Sequence, residues 1–178
     1  MLYCNVSRKR NAYPDLMDSL DIGSSGLVRI LLVDDFEPFR KYVRSLILKR
    51  AELVVLCDVP DGLAGVQKAE ELRPDLILLD IGLPSLNGIE AARRIRHSNP
   101  QARILFLTEE SSSEIVGEAF NLGARGFVVK LDARKDLLLG IDAVVRGEKF
   151  VSGSLKDPGF PRFTDAWTAV AETAATKS

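Results

Sequence analysis

The chain has 178 residues, 46% of them apolar, which suits one packed domain with appendages. Its 24 basic and 25 acidic residues leave a formal net charge of −1, so it has no general attraction to nucleic acid or to an anionic membrane. Cys4 and Cys57 lack metal or redox spacing, and no apolar run approaches the roughly 18 residues of a membrane span, which predicts a cytoplasmic protein that does not enter a membrane.

Residues 1–26 mix Arg8, Lys9, Arg10, Asp15 and Asp18 with apolar residues and end in Gly23-Ser24-Ser25-Gly26, the composition of a flexible N-terminal extension. Apolar runs then alternate with helical patterns, the signature of βα units and a parallel sheet. Strands are predicted near 28–33, 53–57, 75–79, 103–107 and 126–129. Between them Phe36, Phe39, Val43, Leu46 and Ile47 form one helical face. Ile89, Ala92 and Ile95 form a second, and Leu137, Leu138, Ile141, Val144 and Val145 a third. Right-handed crossovers place such helices on both faces of the sheet, giving an α/β, five-stranded, doubly wound architecture. After Gly147 the pattern stops, so the domain is placed at 27–150 and a C-terminal tail at 151–178, with a short helix over 164–174.

Four polar positions follow directly on strand-like runs: Asp34-Asp35, Asp80, Thr108 and Lys130. In a parallel sheet they emerge at one edge, where open α/β sheets place their ligands. Taken singly, each has a plainer reading. Asp35 can cap a helix beginning at Phe36, Asp80 can cap a loop, Thr108 can cap the next helix and Lys130 can be a surface lysine. Together, acids, a hydroxyl and an amine make chemical sense as a Mg²⁺-dependent phosphoryl acceptor. His97 lacks a second ligand nearby and reads as solvated or capping.

The runs Leu76-Ile-Leu-Leu-Asp80-Ile-Gly-Leu-Pro84-Ser-Leu-Asn-Gly88-Ile-Glu and Ile104-Leu-Phe-Leu-Thr108 resemble the response-regulator receiver domain of two-component signalling. Ala91-Ala-Arg-Arg-Ile-Arg96 and Gly123-Ala-Arg-Gly-Phe127-Val-Val-Lys130 look most like its NarL/FixJ branch. The resemblance implies a flavodoxin-like strand order 2-1-3-4-5. It implies Asp80 as phosphoacceptor, and Mg²⁺ held by Asp35, Asp80 and the Gly82 carbonyl, with Asp34 acting through water. It further implies a switch in which Thr108 swings to the phosphoryl group while Phe127 turns inward. Gly82 leaves the acceptor unscreened, and Glu109 puts a carboxylate where a small residue is usual; both are expected to tune the phosphoryl lifetime. Expected partners are a sensor histidine kinase and a downstream protein, with room for a phosphorylation-dependent homodimer. Members of that branch carry a helix-turn-helix domain, and the roughly thirty residues after Phe150 are too few for one, which argues against direct DNA binding. Two alternatives stay open: a phosphorylation-independent interaction module on the same fold, and a shortened DNA-binding regulator.

Overall fold

The computed structural model describes residues 26–109 and 112–156. Five strands form where the apolar runs lie: β1 (Val28–Val33), β2 (Leu53–Val59), β3 (Leu76–Leu79), β4 (Ile104–Thr108) and β5 (Gly126–Val129). They alternate with helices α1 (Glu37–Ile47), α2 (Gly62–Leu72), α3 (Gly88–Ser98), α4 (Ser113–Asn121) and α5 (Ala133–Val145). A sixth strand, β6 (Phe150–Val151), pairs in parallel with β5, and the order is β2-β1-β3-β4-β5-β6. The sheet is flavodoxin-like, with one short strand more than expected. Two residues cannot announce themselves by periodicity; backbone pairing makes this strand, through Phe150 N–H to the Arg125 carbonyl at 3.0 Å and Ser152 N–H to the Phe127 carbonyl at 2.9 Å.

The strands read as continuous apolar runs because both faces are covered. On one face Leu31, Val33, Ile77, Leu79, Phe106 and Phe127 pack under α2, α3 and α4. On the other, Ile30, Leu32, Leu78, Leu105 and Val128 pack under α1 and α5. The faces predicted for α3 and α5 are the buried ones, but Phe36 departs from the face predicted for α1. It stands just outside the helix as N-cap and is 59% exposed. Pro38 in the first turn allows α1 to start at Glu37, and the Phe36 N–H is taken by Asp34 Oδ1 at 2.9 Å.

Beyond Val151 a 3-10 turn, Gly153–Lys156, places Leu155 in the core. The extension 1–25 and the helix expected over 164–174 lie outside the described residues. Among the described residues, no helix is long and apolar enough to cross a membrane.

Candidate functional site

Register sets the height of each side chain at the carboxyl edge. Val33 pairs with Leu79, and Leu79 with Phe106, so Asp34 and Asp80 emerge side by side, one residue beyond that row. Thr108 pairs with Val129, which puts Lys130 one residue higher at the start of a 3-10 turn. A long side chain is needed to reach back from there, and lysine supplies it. Lys130 Nζ lies 2.7 Å from Asp34 Oδ2 and 2.7 Å from Asp80 Oδ2.

The plainer readings fail for Asp35, Thr108 and Lys130 and hold in part for Asp80. Asp35 caps nothing, because Phe36 occupies the N-cap position and the nearby amide is taken by Asp34. Ser112, not Thr108, caps α4, and Thr108 is buried at the last position of β4. The Lys130 side chain is only 10% exposed. Asp80 Oδ1 does accept the Gly82 N–H at 3.3 Å, so it supports its own loop while Oδ2 faces the ammonium.

The loop after Asp80 is shaped by close backbone packing. A Cβ on Gly88 would sit 1.9 Å from the Asp80 carbonyl oxygen, and the Gly88 N–H donates to the Ile81 carbonyl at 2.9 Å. Asn87 caps α3 through Glu90 N–H at 2.9 Å. Apart from its chain neighbours, nothing lies within 4 Å of where a Gly82 Cβ would be, so the loop is open at that point. His97 is exposed in the last turn of α3, and Cys57 is buried as a small core residue.

Electrostatics at this edge are strained by design of the pairing. Burial pushes the Asp34 carboxyl above its ordinary value, with the Asp80 charge adding to the rise and Lys130 only partly opposing it. Burial alone would lower the Lys130 ammonium, but hydrogen bonds and attraction from Asp34 and Asp80 outweigh it and hold the group above its ordinary value. The ammonium also lies 4.9 Å over the Phe39 ring, whose face favours a cation.

Carboxylate oxygens of Asp34, Asp35 and Asp80 all lie within 4.8 Å of one another. Asp34 Oδ2 is buried and faces the Lys130 ammonium at 2.7 Å, with no second donor on it. A buried oxygen satisfied only by that ammonium, beside two further carboxylates and with no sulfur or imidazole among them, fits a hard cation such as Mg²⁺.

Sequence reasoning alone does not single out Phe39 or Arg40. Arg40 donates to the carbonyls of both Asp34 and Asp35, at 2.7 and 3.1 Å. The signal was present: a cation four residues after Phe36 and three before Val43 stands on the sheet-covering face of α1, where a charge needs a reason. Phe127 is the residue expected to turn inward in the switch. It is already fully buried, against Phe106 at 6.2 Å between ring centres.

Comparison with known proteins agrees with the fold. The profile of the response regulator receiver domain matches residues 30–142. The nitrate/nitrite response regulator protein NarL of Escherichia coli K12 is 34% identical over 126 residues, covering 71% of this chain and 58% of that protein. The transcriptional regulatory protein LnrK of Bacillus subtilis 168 is 36% identical over 104 residues, covering 58% of this chain and 47% of that protein. This chain thus matches only about half the length of these curated relatives. Among solved structures, a LuxR-family two-component response regulator from Aurantimonas sp. SI85-9A1 superimposes with a TM-score of 0.70 at 34% identity, covering 72% of this chain and 92% of that one. The response regulator domain of Thermotoga maritima CheB gives 0.62 at 31% identity, covering 67% and 95%. With the profile matching more than half of its length and relatives of this similarity, the chain belongs to the response regulator receiver domain family of two-component systems.

Proposed function

We propose that this protein accepts a phosphoryl group on Asp80 from a sensor histidine kinase, in the cytoplasm and with Mg²⁺, and passes the change on by protein contact. The observation that carries this reading is the Lys130 ammonium held 2.7 Å from both Asp34 and Asp80 inside a cluster of three carboxylates. The roles proposed for the individual side chains are those the family resemblance implies.

An Asp80 carboxylate oxygen attacks phosphorus, forming a P–O bond. The P–N bond to the kinase histidine breaks, and its electron pair returns to the imidazole. The open space at Gly82 leaves the acceptor accessible to the donor. As the acyl phosphate forms on Asp80, negative charge is carried by the phosphoryl oxygens, and the nearby Lys130 ammonium would meet it as a fixed charge. Asp35, Asp80 and the Gly82 carbonyl would hold Mg²⁺, with Asp34 reaching it through water. When bound, Mg²⁺ supplies positive charge that lets the carboxylates crowd in their ionised form and offsets charge on the transferred group.

Thr108 would hydrogen-bond a phosphoryl oxygen from the end of β4. Because the Phe127 ring is already inside, phosphorylation would hold an arrangement the chain can reach without it, a shift of population between two packings. Phe127 has no hydroxyl to report its position, so the readout would rest on backbone and packing. Output through a protein partner, a second copy included, suits a net charge of −1 better than direct DNA contact does.

Beryllofluoride with Mg²⁺ tests this reading as a mimic of the phosphoryl group. The expected result is a higher melting temperature for wild type, absent in Asp80→Asn and absent without Mg²⁺. Partner binding that is complete in Asp80→Asn, with no response of wild type to the mimic, would instead support a phosphorylation-independent module.

A further inference from the structure

Arg40 is a buried charge that the proposed transfer does not use directly. The residue is 7% exposed, on the face of α1 that packs against the sheet. Burying a guanidinium is costly unless its donors find acceptors, so its acceptors point to its role. Nε donates to Asp58 Oδ2 at 3.1 Å. Nη1 donates to the Asp34 carbonyl at 2.7 Å and to the Asp35 carbonyl at 3.1 Å. Asp58, 6% exposed on β2, also accepts Arg44 Nη1 on its other oxygen at 2.8 Å.

The two carbonyls belong to successive residues, and both of those residues contribute carboxylates to the acidic cluster. A carbonyl fixed at the guanidinium fixes the rotation of its peptide plane, and with it the direction of the adjoining Cα–Cβ bonds. β1 ends at Val33, and Asp35 beyond it is exposed. On the far side, the Asp34 N–H is held by the Val59 carbonyl at 3.1 Å, next to Asp58 in sequence. Both ends of the acidic turn are therefore tied to β2, one directly and one through Arg40.

We propose that Arg40, oriented by Asp58, is a positioning residue that aims the Asp34 and Asp35 carboxylates at a shared divalent cation. The proposal rests on the reading of the acidic cluster as a cation site. It needs the planar fork: one donor edge spans two carbonyls while Nε faces a carboxylate, and a lysine ammonium cannot hold all three partners in that geometry.

The test compares the whole chain as wild type, Arg40→Met, Arg40→Lys and the core control Ile141→Ala. Mn²⁺ affinity is read by water-proton relaxation, and amide exchange reads the Phe36 N–H that Asp34 Oδ1 accepts. Supporting partners of metal ligands are worth about 10–100-fold in affinity, so Arg40→Met should weaken Mn²⁺ by that range and lose Phe36 protection. Arg40→Lys should fall between it and wild type. Ile141→Ala should lower the melting temperature and change neither readout. Wild-type Mn²⁺ affinity together with wild-type Phe36 protection in Arg40→Met overturns the proposal, and the same pair of results in Arg40→Lys does so if the Met variant does not fold. A wild-type protein that binds no Mn²⁺ overturns the cation reading itself, and Phe36 protection then still decides whether Arg40 holds the turn.

Discussion

Replacing Lys130 with Met is expected to slow phosphoryl acceptance from a small donor by at least about 100-fold, the usual effect of removing one fixed charge-stabilising donor. It should also destabilise the metal-free protein. Breaking a buried ion pair by removing one partner costs about 3–5 kcal/mol, because the remaining charge stays buried without compensation. Here two carboxylates, Asp34 and Asp80, lose the ammonium that lies 2.7 Å from each. The pH dependence has a definite sign. Lys130 is held above its ordinary value, so its stabilisation is complete below the unfolded lysine value and fades only as pH rises through the higher folded one. At neutral pH the wild type has the full benefit and the Met variant none. Lowering the pH protonates Asp34, whose value is raised by burial, and should narrow the gap. Chemical denaturation of the two proteins between acid and neutral pH measures this; an equal stability at neutral pH would show that the ion pairs contribute nothing.

Asp34→Asn should act in the opposite direction on the metal-free fold. The Asp34 carboxyl is raised by burial and by Asp80, so its ionisation opposes folding. That penalty is absent well below the ordinary carboxylate range and grows as pH rises through the raised value. Asn keeps the shape and an oxygen for the Phe36 N–H but carries no charge. The variant is therefore expected to melt higher than wild type at neutral pH without Mg²⁺, where about 1 kcal/mol corresponds to roughly 2–4 °C for a domain of this size. The same change should weaken Mg²⁺ by about 10–100-fold, the range for groups supporting metal ligands. Stability and cation affinity thus move apart. Thermal melts with and without Mg²⁺ measure both, and a variant less stable than wild type in the absence of metal would contradict the assignment of Asp34 as a strained acid.

The sheet was legible because both faces of each strand are buried, which leaves uninterrupted runs such as Val28–Val33 and Leu76–Leu79. Where reading fell short, a tertiary partner explains it. β2 continues to Val59, beyond the apolar run that ends at Cys57, because Asp58 is neutralised there by Arg40 and Arg44. β6 exists through pairing with β5 and through Ser152, whose hydroxyl accepts the Val129 N–H at 3.1 Å. At the site, strand-end spacing brought out Asp34, Asp80 and Lys130 because each follows a run directly. Arg40 and Phe39 escaped notice since each sits inside a helical stripe that looked like ordinary sheet cover. The position of Phe127 depends on packing against Phe106, which a sequence does not display.

Intact-mass analysis after incubation with acetyl phosphate and Mg²⁺, followed by peptide mapping, tests the central claim most directly. The account predicts one added phosphoryl group, borne by Asp80, released by hydroxylamine as an acyl phosphate should be, and missing when Mg²⁺ is chelated or Asp80 is Asn. A phosphoryl group on another residue, or one that forms on Asp80 equally well without Mg²⁺, would contradict it.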